Sequence, residues 1–327
     1  MHLRPVLSRS DLEDFHSVES AALDHDFVAL PADPIQELLP VLDGKPRAGN
    51  LTRLWVGTED DLPVAALNLT FFTLDNLDAV NVDGSVHPDH RRQGHGRALL
   101  ERALAAVRDD DRHRIYVEAP WARDGGDGAA FALLRSAGAR PVNHAYRRLL
   151  DLHDRAPGER PSVPDGYSVV QWVDTAPDQI VDGLAYLMGR MSTDAPMGDM
   201  DYEPEKWDAS RYRDAEQDAQ ERERTRVATA VVHDATGQVA GLTDIGVHRR
   251  RAEVAYQWQT IVDPDHRGLK LGLLLKACNH RHLVEQVPGV RWVNTWNATS
   301  NTFMIDVNVA LGFEIAEKWC EWQLDLP

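Results

Sequence analysis

The stretch VHPDHRRQGHGRALL, Val86 to Leu100, returns later in the chain as VDPDHRGLKLGLLLK, Val262 to Lys276. Each copy follows a β-rich run and opens an apolar-periodic helix. The helical stripe is Leu99, Leu100, Ala103, Leu104 and Val107 in the first copy, and Leu271, Leu274, Leu275 and Cys278 in the second. A strand that runs through an Arg- and Gly-rich turn into a helix makes an anion site. The helix start offers unpaired N–H groups and the positive end of its dipole. Glycines admit a bulky diphosphate close to the backbone, and arginines add charge-assisted bonds to its oxygens. The two copies differ where Lys270 stands in the place of Gly94. The N–H of Lys270 still reaches a phosphate if its φ is helical, and its ammonium adds a point charge.

The order of elements around the two phrases also repeats. Before the first, LTRLWVGTEDDLPVAALNLTFF reads as two strands around an acidic turn, and LDAVNVDGSV as a third. RIYVEA is the next strand, and GAAFALLRSAG a short helix closed by Gly138. In the second half, RVATAVVHDATGQVAGLTDIGVH, AEVAYQWQTIV, RWVNTW and NTFMIDVNVALGF fill the same places. Between the halves, HDRAPGERPSVPDG is polar and rich in Pro and Gly, as a linker is. The sequence therefore predicts an α/β chain that duplicates one unit, with domains at 1–155 and 166–327 and a linker at 156–165.

The chain has 327 residues and a formal net charge of −17. Such an acidic chain repels nucleic-acid phosphate and anionic membranes unless a local basic patch intervenes. The charge blocks at 108–114 and 216–226 mix both signs and read as solvated helix faces. Two cysteines, Cys278 and Cys320, are too few for a disulfide framework and lack metal-type neighbours. No signal-like start and no membrane-length apolar run is seen, so the expectation is a cytoplasmic protein without nucleic-acid or membrane partners or a metal, monomeric or homodimeric.

Arg91-Arg92-Gln93-Gly94-His95-Gly96, with the preceding VHPDH and the downstream NTFMIDVNVALGF, resembles the signature of the GCN5-related N-acetyltransferases. The resemblance covers nearly the whole chain, as two tandem copies. It implies two GNAT-like domains, each a mixed, mostly antiparallel sheet flanked by helices. It also implies acetyl-CoA as co-substrate, its pyrophosphate on the loop and its pantetheine arm along the preceding strand. The implied residues are Val86, Arg91, Arg92, Gly94, His95, Gly96 and Arg97 in the first copy. In the second they are Val262, Arg267, Gly268, Leu269, Lys270, Leu271 and Gly272. Asn301, and more weakly Asn297, is implied to bond the pantetheine arm.

The family reaction is direct attack of an amine on the thioester, for which an ammonium must first lose a proton. The family's thiolate-protonating tyrosine is replaced by Leu134 in the first copy and Asn308 in the second. Glu253 lies near the family's general-base position, whereas the third strand of the first copy offers Asp78 and Asp83 with less correspondence. The sequence thus favours the second half as catalytic, with Glu253 and Asn308, and the first as structural or a second CoA site. For the acceptor, the acidic and aromatic segment Met191 to Asp208 suggests a small cationic amine held by Asp194, Asp199 and Tyr202, with Gln257 on the third strand. Alternatives are a mycothiol synthase-like acetyltransferase and an inactive CoA-binding regulator.

Overall fold

A computed structural model describes residues 1–122, 125–153 and 161–327. The first half runs β1 (His2–Pro5), α1 (Arg9–Asp26), α2 (Ile35–Leu38), β2 (Asn50–Glu59), β3 (Leu62–Phe72), β4 (Ala79–Val86), α3 (His95–Asp109), β5 (Arg114–Pro120), α4 (Phe131–Ser136) and β6 (Arg140–Asp151). The second runs β7 (Tyr167–Val173), α5 (Val181–Asp194), α6 (Ala209–Glu221), β8 (Arg224–His233), β9 (Val239–His248), β10 (Val254–Val262), α7 (Leu271–Gln286), β11 (Trp292–Ala298), α8 (Thr302–Leu311) and β12 (Glu314–Asp325).

Local chemistry sets these elements. Ser8 caps α1 through a reciprocal capping box with Asp11. Leu12, Phe15, Val18 and Ala22 then form its buried stripe. The β2–β3 hairpin turns on Asp60 and Asp61, both at positive φ, as a tight hairpin turn requires. Along β2 the alternate residues Leu54 and Val56 pack under α1, while Trp55 packs in the cluster with α3 and α4. Both faces of that sheet are covered, so its strands read as continuous apolar runs.

The chain divides into two units. Unit 1 comprises Met1–Ala145, Met197–Tyr202 and Glu317–Pro327; unit 2 comprises Tyr146–Pro196 and Glu203–Ala316. In unit 1 the strand order is β1-β2-β3-β4-β5-β12, and in unit 2 it is β6-β11-β10-β9-β8-β7. A single cut between 155 and 166 therefore does not describe the division. Most of β12 belongs with the first half because it pairs antiparallel with β5 from Trp319↔Pro120 to Asp325↔Arg114. The end of β6 belongs with the second half. Residues 154–160, which include 156–160 of the expected linker, lie outside the described residues.

Unit 2 is built on the same plan. Leu184, Leu187 and Tyr212 of α5 and α6 pack with Ala228 and Leu242. Leu271, Leu274, Leu275 and Cys278 of α7 pack with Val231 and Ala240. No helix among the described residues is long and apolar enough to cross a membrane.

Candidate active site

Two features recur in both units: an uncapped helix start, and a pair of parallel strands that part. α3 begins after Gly94 (φ 90°) and α7 after Lys270 (φ 57°), neither with a side-chain cap. Among the described residues, the backbone N–H groups of Gly94, His95 and Gly96, and of Lys270, Leu271 and Gly272, have no backbone acceptor. Such a cradle suits a diphosphate. Each loop has two left-handed positions. In the first they are Arg92 (φ 64°) and Gly94; in the second, Gly268 (φ 87°) and Lys270. Each copy thus keeps glycine at a different one of the two. Lys270 is left-handed, not helical as the sequence reading required, and carries the strain of a Cβ there.

The arginines do something other than reach for phosphate. Arg91 Nε donates to the Val86 carbonyl at 3.1 Å, and its two terminal nitrogens donate to the Asp26 carboxylate at 2.9 and 2.8 Å. Arg267 Nε donates to the Val262 carbonyl at 3.2 Å, and its Nη2 donates to Asp194 at 2.7 Å. Both guanidinium groups brace the strand end against the carboxylate of a preceding helix. Burial pushes the Asp26 carboxyl up, but the bonds from Arg91 and His25 outweigh it and leave it below the usual range. His95 is buried, with Nε2 3.4 Å from Glu59, and so offers the loop its backbone. Arg97 lies in the first turn of α3.

β4 and β5 pair in parallel through Ala79↔Arg114, Val80↔Ile115 and Asn81↔Tyr116, and then separate. Asp83 and Glu118 lie on the separated stretches. Both side chains are exposed to solvent, yet the protein packed around them still penalises their charge. Burial raises Asp83 to about 6. Burial first, then Glu321 and Asp83, raises Glu118 to about 7. Glu19 on α1 rises to about 8 through burial and the nearby Asp33, Asp83 and Glu37. Glu321 on β12 is also raised by burial, in part offset by a bond from Asn143 at 3.3 Å. No cation pairs with Glu19, Asp83 or Glu118 among the described residues. Where β4 and β5 part, unit 1 therefore gathers carboxylates that no cation among the described residues neutralises.

In unit 2, β10 and β11 pair through Val254↔Trp292, Ala255↔Val293 and Tyr256↔Asn294 before parting. The equivalents of the unit 1 acids are neutral: Gln259 takes the place of Asp83 and Trp296 that of Glu118. A bulge between Gln257 and Thr260 carries Trp258, whose ring lies where a side chain on Gly246 would stand. Glu253 does not reach this cleft. It precedes β10, and its carbonyl accepts from the backbone of Arg291 and Trp292. Nine residues of strand, roughly 30 Å, separate it from Val262. This corrects its expected place beside the reacting centre.

Other expected residues are engaged elsewhere. Gln257 is buried, and its Nε2 donates to Thr243 Oγ1 and to the Asp244 carbonyl. Asn301 is the N-cap of α8, accepting from the Met304 N–H. Asn308 is fully buried and donates to Asn297 on β11. Asp194 is paired with Arg190 and Arg267. Asp199 and Tyr202 belong to unit 1, whereas Asp194 and Gln257 belong to unit 2. There the Asp199 N–H donates to the Val142 carbonyl, and the Tyr202 ring meets Phe72 and Tyr116. The sequence reading missed Glu118, Glu19 and Glu321. A charge inside the strand RIYVEA was the available signal for Glu118.

The family model described as Acetyltransferase (GNAT) family matches residues 23–137. The mycothiol acetyltransferase of Saccharomonospora viridis is 30% identical over 242 residues, covering 71% of this chain and 70% of that one. That of Cellulomonas flavigena is 28% identical over 237 residues, covering 70% of this chain but 62% of its own length. Among solved structures, a tandem GNAT protein from the clavulanic acid biosynthesis pathway superposes with a TM-score of 0.83 at 29% identity, covering 99% of this chain and 98% of that one. A GCN5-related N-acetyltransferase from Sphaerobacter thermophilus shares the fold, with a TM-score of 0.71 at 17% identity over 99% of this chain and 95% of its own.

Proposed function

The chain belongs to the GNAT acetyltransferase family, and on that premise we propose that it moves acetyl from acetyl-CoA to the primary amine of a small cationic molecule, in unit 1. The observation that carries this reading is the pair Asp83 and Glu118 where β4 and β5 part, beyond the glycine loop. The loop N–H groups and the start of α3 hold the pyrophosphate, and the parting of the strands admits the pantetheine arm. The unpaired carboxylates attract an ammonium. With Asp83 near 6 and Glu118 near 7, they also accept its proton near neutral pH. The freed amine attacks the thioester carbonyl carbon, the tetrahedral adduct collapses, and the thiolate leaves. Leu134 is apolar and buried, so the thiolate takes its proton from the adduct's ammonium or from water.

This moves transfer to the half that the sequence reading gave the lesser role. Unit 2, with its second loop and a cleft that has neutral Gln259 and Trp296 at the places of Asp83 and Glu118, is a second acyl-CoA site without amine deprotonation. The relatives support a second reading, in which the acceptor is of the mycothiol type. The test is thiol release from acetyl-CoA with a panel of mono- and diamines and with a mycothiol-type acceptor. Cationic amines as substrates, with loss of turnover in Asp83→Asn, support the main reading. Turnover with the mycothiol-type acceptor alone supports the second.

A further inference from the structure

Lys276 lies on α7 and is only 1% exposed. Lysine is almost never buried to this degree without a partner charge. No carboxylate pairs with Lys276 among the described residues. Its ammonium donates to Asn308 Oδ1 and sits 4.9 Å from the centre of the Phe313 ring. Asn308 Nδ2 in turn donates to Asn297 Oδ1. Burial lowers Lys276 to about 7, and His280, one turn along α7, is held neutral by burial and by that lysine.

The direction of this chain follows from the inventory of donors. Lys276 Nζ donates to Asn308 Oδ1, and in its charged form, below about pH 7, it has donors only, so the oxygen of Asn308 must face it. That leaves the Asn308 NH2 to face Asn297, whose oxygen must then face inward. The outer end is the Asn297 NH2. Asn297 lies on the part of β11 that has separated from β10, is partly exposed, and its Nδ2 has no acceptor among the described residues. The lysine thus turns two amides so that a donor ends at the cleft.

We propose that Lys276 is a positioning residue that, through Asn308, fixes Asn297 as a hydrogen-bond donor to the thioester carbonyl of an acyl-CoA held in unit 2. The ligand class follows from the polarity of the chain: an oxygen acceptor that carries partial negative charge, and no proton donor. The proposal rests on the second loop holding acyl-CoA, which is part of the reading above. It differs from a phenol at the Asn308 position because an amide orders the thioester without supplying a proton to a leaving thiolate. The second site then binds and orients without turning over.

The test is the carbonyl stretch of carbon-13-labelled acetyl-CoA bound to the full chain, by difference infrared spectroscopy. The wild type should show a band shifted to lower frequency from that of free acetyl-CoA. Lys276→Met and Asn297→Asp should each return that band toward the free position, while acetyl-CoA affinity by calorimetry changes less than about threefold. A lysine that only fills space would lower the melting temperature of Lys276→Met and leave its band at the wild-type position, which overturns the proposal, as does an unmoved band in Asn297→Asp. So does a wild-type spectrum without the shifted band. If Lys276→Met does not fold, Asn308→Asp decides: it still accepts from Lys276 but has no NH2 to hold Asn297, so the band should return toward the free position, and an unmoved band overturns the proposal. Amine turnover should not depend on Lys276. Failure of the unit 1 reading would appear in the Asp83→Asn rates, and failure of this one in the spectrum.

Discussion

Glu118 on β5 stands directly opposite Glu321 on β12 in an antiparallel ladder. Like charges in that relation destabilise a sheet by about 0.2–1 kcal/mol. They persist here in a unit whose neighbouring Asp83 and Glu19 are also unpaired. Glu321→Gln should therefore raise the melting temperature by about 1–4 °C at pH 8, and by less at pH 5, where Glu118 holds a proton. Thermal denaturation at the two pH values checks this.

Glu19 gives a second, signed pH effect. Its folded value near 8 lies above the usual 4.5. Between those values the folded state holds a proton that the unfolded state has lost, so stability falls as pH rises through that window. Glu19→Gln should flatten this slope and stabilise the protein at pH 8. Denaturant titrations from pH 5 to pH 8 measure the slope. A saturating cationic substrate should flatten it too, because it replaces the proton.

The braces on the two loops should matter equally in the two halves. Asp26→Ala removes both bonds that hold Arg91, and Asp194→Ala removes the bond to Arg267. Charge-assisted bonds of this kind contribute about 1.5–3 kcal/mol when sheltered, less with these partly exposed partners. Each variant should weaken acetyl-CoA binding about tenfold at its own loop and leave the other loop unchanged. Calorimetric titration separates the two sites.

Lys270 carries backbone strain that glycine would not. Lys270→Gly should stabilise the protein by about 1 kcal/mol, read as a higher denaturant midpoint. It should also weaken acetyl-CoA binding at the second loop a few-fold, through loss of the charge.

Much of this was legible from residues alone. The stripes Leu99–Val107 and Leu271–Cys278 lie on α3 and α7, because a 3.6 period is local information. The place of β12 was not. Its own alternation fixes which residues face inward, but not which strand lies beside it, and its partner β5 is nearly two hundred residues away. Glu253 was misplaced for a related reason. The pattern AEVAYQWQTIV marks a strand but not the point at Tyr256 and Asn294 where it leaves its neighbour. The weight of Asp83 is not legible in the sequence, because it comes from Glu19, Glu118 and Glu321, on three segments that only folding brings together. The repeated phrase identified both loops, yet the roles of Arg91 and Arg267 depended on Asp26 and Asp194, which lie on the preceding helices.

The most direct measurement is the pH–rate profile of amine-dependent thiol release from acetyl-CoA, on the wild type and on Asp83→Asn, Glu118→Gln and Glu253→Gln. Wild-type activity should rise between about pH 6 and pH 8. kcat/KM should fall by about 10²–10⁴-fold in Asp83→Asn, fall in Glu118→Gln, and stay unchanged in Glu253→Gln. Full activity in Asp83→Asn together with loss of activity in Glu253→Gln would contradict transfer in unit 1 and return the chemistry to the second half.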